Sequence, residues 1–425
     1  MKRVLVVGSG GREHALARVL LRSPQQPEVI AAPGNVGIAR NGVECFDVAP
    51  DDISRLVTLA RDQGCDLVVV GPEAPLVEGL VDACFDAGVR AFGPSAAAAR
   101  IEGSKAHAKE LMKAAGVPTP AYLILHNRKE ALEHVSCASY PLVLKADALA
   151  AGKGVVICAT EAEARVAIDQ FFKERRFGDT VVVAEEYLEG TELSLLALCD
   201  GIRALPMAPA QDYKRIYDND EGPNTGGMGS YSPVPGIDAA HARVLAASIH
   251  QPVIDEMRRR GTPYHGVLYA GLMITPQGPK VLEFNARFGD PETQAILPRL
   301  RSDLLEALDR SVRPGGLEGY ELEWRKLWAV TVVLASRGYP ESASKGDVIQ
   351  GLSIDSLDVE VFHAGTAIRG DRIVTNGGRV LNVTGLGETA EDARRHAYRA
   401  ADKINFEGKQ MRRDIALRAV EAVAV

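Results

Sequence analysis

Arg3-Val4-Leu5-Val6-Val7-Gly8-Ser9-Gly10-Gly11-Arg12-Glu13-His14 begins as a strand, breaks on a glycine cluster and runs on into a helix-forming stretch, Glu13 to Leu21. Leu16, Val19 and Leu20 recur there at i, i+3 and i+4, which gives the helix one apolar stripe. Further strand-like runs at Glu28 to Ala32, Asp66 to Val70 and Arg90 to Phe92 alternate with helical stretches. This βαβ order predicts a parallel sheet covered by helices, up to about Gly93. A helix capped by Ser104 follows from Lys105 to Ala115 and stops at Gly116, with Pro118 and Pro120 marking a boundary.

Outward from this unit the pattern changes. Between Ala121 and Leu188 a strand pair (Leu142 to Lys145, Val155 to Cys158), a helix (Glu161 to Phe172) and a strand (Val181 to Ala184) predict a small α+β unit able to move as a lid. Strands at Glu192 to Cys199, Gly266 to Ile274 and Lys280 to Phe284 predict a larger piece, interrupted by a polar, glycine-rich loop from Gln211 to Ser232. A last module holds Trp328 to Ala335, a hairpin turned at Asn376-Gly377-Gly378, and a helix capped by Thr389. The division expected is therefore 1–120, 121–188, 189–325 and 326–425.

A chain of 425 residues exceeds a single small module, and 46% apolar content is enough to build sizeable cores. Acidic residues number 56 against 49 basic ones, which argues against a nucleic-acid coat and for an enzyme of small molecules. The six cysteines are scattered without a C-x-x-C pair, as expected of buried thiols in a reducing compartment. Val4 to Val7 is too short for a signal peptide, and no later run approaches the ~20 apolar residues of a membrane span. A cytoplasmic protein without nucleic-acid or membrane partners is expected; oligomeric state is not legible.

Gly8 to His14 lies between strand and helix, where backbone amides favour an anion: either a plain tight turn or a phosphate cradle for a phosphorylated sugar. A dinucleotide site is excluded twice, because the third glycine of its fingerprint falls on Glu13 and Ala32-Pro33-Gly34-Asn35 puts no acid after the second strand. Gly71-Pro72-Glu73 should emerge at the same sheet edge, Glu73 being either solvated or bound to ribose hydroxyls. Lys145 on a strand and Lys153 on a small-residue loop are either surface lysines or two positive charges for nucleotide phosphates. Glu185 to Leu188 leaves a strand as a hinge that could present backbone groups to a purine and a carboxylate to ribose. On the strand Lys280 to Asn285, continuing to Glu292, Glu283, Asn285 and Arg287 share one face, hard oxygens for Mg²⁺ or Mn²⁺ beside a guanidinium for a phosphoryl group. Its bland alternative is a half-exposed edge strand. Local signatures for a serine elbow or a zinc helix are missing from the sequence, and His14 and His107 are expected on helix surfaces or near caps.

Taken together, Gly8 to Ala15, Gly71 to Leu76, Lys145-Ala146-Asp147 with Ala150 to Val155, Asn224 to Gly229 and Glu283 to Glu292 resemble the phosphoribosylamine–glycine ligases of the ATP-grasp superfamily, in order and in spacing. The resemblance implies an N-terminal pre-ATP-grasp domain with a parallel sheet, ATP-grasp lid and central α+β domains, and a small C-terminal α+β domain. It implies ligation of glycine to 5-phosphoribosylamine through glycyl phosphate, with ATP as co-substrate cleaved to ADP and phosphate, in purine biosynthesis. Carried over residue by residue, Lys105, Lys145, Lys153, Glu185, Glu186, Leu188 and Glu192 would form the nucleotide pocket, and Glu283 and Asn285 would bind Mg²⁺ or Mn²⁺. Arg287 and Lys153 would act on the transferring phosphoryl group. Gly8, Gly10, Gly11, Arg12, Glu13, Asn35 and Glu73 would hold phosphoribosylamine. Asp212, Lys214, Asn224, Thr225, Gly226, Met228 and Asp290 would gather substrates near the γ-phosphate. Two departures stand out: Ala270-Gly271-Leu272-Met273 offers no further metal carboxylate, and Ala148 replaces an expected glycine.

Overall fold

Arg3–Gly8 pairs in parallel with Glu28–Pro33 on one side and Leu67–Val70 on the other, and Glu44–Cys45 and Ala91–Phe92 complete a five-stranded parallel sheet. The near-continuous Val/Leu/Ile runs are buried on both faces, as a helix-covered parallel sheet requires. The computed structural model describes residues 1–149, 154–354 and 356–423. The first helix, Gly11–Leu20, buries far more than the expected stripe: Arg12, Glu13, His14 and Ala17 are also buried. The C-terminal module packs on its second side, His14 standing edge-on to Phe362 with ring centroids 5.6 Å apart. His14 is thus an interface residue, not a surface one.

Lys105–Ala115 forms as expected, Ser104 capping it and Gly116 ending it in the left-handed conformation (φ 68°). The lid sheet is antiparallel, in the order Tyr122–Leu125, Val182–Glu186, Leu142–Ala146, Val155–Cys158. Helices Arg128–Val135 and Glu161–Phe172 close its own apolar cluster, which includes Leu125, Leu144, Ile168 and Phe171. The central sheet runs Ala204–Pro206, Thr191–Asp200, His265–Thr275, Gly278–Asn285, all antiparallel.

Two expectations need correction. Gln211 to Ser232 is not one long loop: Gln211–Asp212 and Gly229–Ser232 are strands of the C-terminal sheet, followed in order by Trp328–Ala335, Arg379–Gly387 and Val359–His363. Asn376-Gly377-Gly378 does not turn a hairpin either. Arg372–Asn376 pairs with Thr366–Arg369 and Lys345–Val348, and the glycines carry the chain across to a different sheet. The Thr389 cap forms, its hydroxyl accepting from Asp392 N at 3.1 Å. Cys65, Cys84, Cys158 and Cys199 are buried as expected, whereas Cys45 is half-buried and Cys137 exposed. One large apolar cluster unites the N-terminal sheet (Leu5, Val70), the central sheet (Leu195, Phe284) and the C-terminal sheet (Val332, Val383). Among the described residues no helix is long and apolar enough to cross a membrane.

Candidate functional site

Strand Gly278–Asn285 borders the lid, the central sheet and the N-terminal loops at once. Glu283 and Asn285 lie two residues apart on it, hence on one face, and Gly271 pairs opposite Glu283. Burial alone would raise the Glu283 carboxyl, but Lys214, Lys145, Lys105 and Arg287 outweigh it and hold it below the usual carboxylate range. An ionised carboxylate and an amide oxygen side by side suit one hard divalent cation. Among the described residues no group of three His, Cys, Asp or Glu converges elsewhere as a metal centre.

Arg287 follows the same strand and meets Glu73 Oε2 at 3.2 Å, Glu102 Oε1 at 3.1 Å, Asn285 Oδ1 at 3.4 Å and Phe288 O at 3.3 Å. Glu73 is held down to about 2: burial would raise it, and Arg287 and Arg12 overcome that. Glu102 accepts from Ala286 N at 2.6 Å, and burial raises its carboxyl. Sequence reasoning missed Glu102, which sits in an ordinary helix end.

On the lid side, Lys145 Nζ lies 2.9 Å from Glu185 Oε2 and donates to Leu282 O at 3.0 Å. It is buried, so the surface-lysine alternative falls away. Lys105 Nζ donates to Ala148 O at 2.9 Å, and burial lowers its pKa. Asp147 caps the Lys105 helix, taking Ser104 Oγ at 2.9 Å and Ala106 N at 3.1 Å. Lys153 lies outside the described residues. Glu185 points inward to Lys109 and Lys145. Glu186 accepts from Ala121 N at 3.0 Å and Lys280 Nζ at 2.6 Å, latching the hinge. Leu188 follows the strand half-buried. Glu192 pairs with Lys214 at 3.0 Å, and burial pushes Asp212 up to about 8, with Lys214 opposing and Glu292, Glu192 and Glu283 adding.

The first loop is filled from within. Glu13 accepts from Gly10 N and from Arg12 Nε, both at 2.6 Å, and Arg12 Nη1 reaches Phe288 O at 3.1 Å. Gly8, at φ 122°, has no room for a side chain, because a Cβ would stand 2.7 Å from Glu13 Cγ. An internal carboxylate therefore occupies one amide that a phosphate cradle would use, while Gly11 opens the helix beside it. Asn35 caps helix Val36–Arg40 and donates to Ser9 O and His363 O, both at 2.8 Å, tying the first loop to the C-terminal module.

The Asn224 to Gly229 segment is braced by the C-terminal module. Arg379 donates to Gly226 O and to Asp290 O, and pairs with Asp290 Oδ2 at 3.0 Å; Tyr339 OH accepts from Gly226 N at 2.9 Å. Asp290 Oδ1 takes Gln294 Nε2 at 2.7 Å. Thr225 bonds Lys214 O at 2.8 Å through its hydroxyl, and Met228 is fully buried against Ile216 and Ala335. The structure thus gathers Lys105, Lys145, Glu283, Asn285, Arg287 and Glu73 along one seam, and uses Asn35, Met228 and Asp290 as supports around it.

Three consecutive segments match the description Phosphoribosylglycinamide synthetase: its N domain at residues 2–102, its ATP-grasp (A) domain at 103–293 and its C domain at 329–418. A phosphoribosylamine–glycine ligase of Ralstonia nicotianae is 48% identical over 98% of this chain and 99% of its own. The trifunctional purine biosynthetic protein adenosine-3 of Gallus gallus is 48% identical over 98% of this chain, which spans only 42% of that protein's length. The crystal structure of phosphoribosylamine–glycine ligase from Thermotoga maritima superposes with a TM-score of 0.83 at 36% identity, covering 97% of this chain and 100% of that one.

Proposed function

The chain belongs to the phosphoribosylglycinamide synthetase family, and from that premise we propose that it joins glycine to 5-phosphoribosylamine with cleavage of ATP to ADP and phosphate. The reading is supported above all by the seam where Lys145 of the lid and Lys105 of the preceding helix face Glu283 and Arg287. A carboxylate resists attack by an amine because its leaving group would be oxide. Transfer of the ATP γ-phosphoryl group to glycine, giving glycyl phosphate, removes that obstacle.

Both reactants of that transfer are anions, so charge must be cancelled where they meet. Lys105 and Lys145 approach from the lid side to hold the phosphates, and Arg287, fixed between Glu73 and Glu102, aims its remaining face at the moving group. Glu283 and Asn285 would hold Mg²⁺ or Mn²⁺, which supplies Lewis-acid charge stabilisation when bound. Lys153 belongs to the same role by its place in the sequence. Glu73 and Arg12 face the sugar of phosphoribosylamine, and the Asn224 to Gly229 segment with Asp212 and Lys214 receives glycine and the incoming amine. Glu186 and Leu188 border adenine. The lid closes over the acyl phosphate and keeps water out. The chain divides as 1–120, 121–188, 189–325 and 326–425, with Gln211–Asp212 and Gly229–Ser232 lent to the last unit's sheet. It works in the cytoplasm on small molecules.

A phosphate-release assay with phosphoribosylamine generated in place tests the reading. Release should require ATP, glycine and phosphoribosylamine together. Release that persists without glycine, or that responds to another acid in its place, would overturn the assignment.

A further inference from the structure

Lys109 lies on the Lys105 helix, four residues on and so on the same face. Its side chain is 2% exposed and reaches Glu185 Oε1 at 3.0 Å, while Lys145 takes the other oxygen, Oε2, at 2.9 Å. Thr119 Oγ1 accepts from Lys109 Nζ at 2.6 Å and donates its own hydroxyl hydrogen bond to Val281 O at 2.8 Å, which fixes where the ammonium can point. The Tyr122 ring lies 5.7 Å away on another side. A buried lysine held this way has no route to a ligand of its own, so its effect must pass through Glu185.

Two lysines on one carboxylate leave a net charge of +1, and the member nearest the seam is Lys145, whose ammonium also touches Leu282 O beside Glu283. Without Lys109, Glu185 would cancel Lys145 entirely, and the strand would present a neutral ion pair where phosphates are to bind. Resting on the ATP-dependent reading above, we propose that Lys109 is a positioning residue for the nucleotide: by sharing Glu185 it leaves Lys145 with charge to offer the triphosphate. A second task follows from the same geometry. Glu185 restrains Lys145 only partly, so the ammonium can turn from Leu282 O to phosphate oxygens when ATP arrives.

The test uses the full chain with Mg²⁺ and a non-hydrolysable ATP analogue, reading Kd by calorimetry beside KM and kcat. Lys109→Met should weaken the analogue and raise KM for ATP about tenfold, with KM for glycine and kcat at saturating ATP within about twofold. Lys109→Arg, which keeps the charge, should stay within about threefold of the parent in analogue affinity. Lys109→Met combined with Glu185→Gln restores the net charge of +1 and should recover most of the lost affinity, which a merely structural role would not do. That double variant also leaves no lone buried carboxylate, so it serves if Lys109→Met alone does not fold. Unchanged analogue affinity in Lys109→Met, or a double variant no tighter than the single one, overturns the role of Lys109 while the parent still binds nucleotide. A parent protein that does not bind the analogue would overturn the ATP-dependent reading itself.

Discussion

The lid is joined to the rest of the molecule by ions and hydrogen bonds, whereas the N-terminal, central and C-terminal modules are joined by a shared apolar core. Lys145 to Leu282 O, Lys109 to Glu185, Lys105 to Ala148 O, Ser104 to Asp147 and Lys280 to Glu186 cross the first joint. The second fuses Leu5, Phe284 and Val383 in one cluster and adds polar locks, Arg18 and Arg22 on buried Glu360 at 2.9 and 2.7 Å. Polar contacts can exchange partners with phosphates and water at small net cost, while separating apolar faces exposes area to water in proportion. The polar joint suits the lid closure proposed above, and the apolar joint suits a body that keeps its shape.

The seam between the two regions should be the most sensitive place. Glu283→Gln is expected to lower turnover about a hundredfold or more with an unchanged melting temperature, most severely at limiting Mg²⁺. Parent-like turnover under those conditions would mean that the two regions do not meet at a metal. Next, Leu144→Ala in the lid core and Leu381→Ala in the body core should each cost about 3 kcal/mol. Amide hydrogen exchange should rise in the lid alone for the first and throughout the three fused modules for the second; a lid variant that loosens everything would erase the contrast.

Acid should act on the body and spare the lid. Burial holds His14 at about 3 and His363 and His250 at about 4, with His363 and Arg18 adding to the effect at His14, and none of the three lies in the lid. Their folded-state pKa values lie below the unfolded one, so they cost nothing above pH ~6.5 and remove stability as pH falls towards 4, about 1 kcal/mol each by pH 5.5. Urea midpoints followed by Trp324 and Trp328 fluorescence at pH 7.5 and 5.5 measure this, and an unmoved midpoint would contradict it. The smallest effect belongs to the latch: Lys280→Ala should change stability by under about 1 kcal/mol, and less in high salt. Thermal melts across a salt series would resolve it.

Elements whose signals are local were legible in the sequence. Ser104 and Gly116 bracket their helix to the residue, and the alternation of Glu283 and Asn285 gave the polar strand face, although the strand ends before Arg287. What could not be read was who pairs with whom. Asn376-Gly377-Gly378 has hairpin chemistry, yet Asn376 N bonds Gly365 O at 2.7 Å, because the neighbouring strands find better partners further off. Lys109 carries no local sign of its carboxylate, which comes from a strand of the lid. Arg379 carried no local sign of the Gly226 segment it braces. The two cases share a cause: a side chain's partner lies across a module boundary, and spacing along the chain carries no information about it.

The pairing of Gly229–Ser232 with Trp328–Ala335 sets an order for assembly during synthesis. The lid has all its strands by Glu186 and can condense while the ribosome is still at work. Gly229–Ser232 must wait for about 100 further residues, on the order of ten seconds at ordinary elongation speed, with one edge unpaired. That interval is when a nascent chain is open to wrong partners, and it is where a chaperone would have most to do.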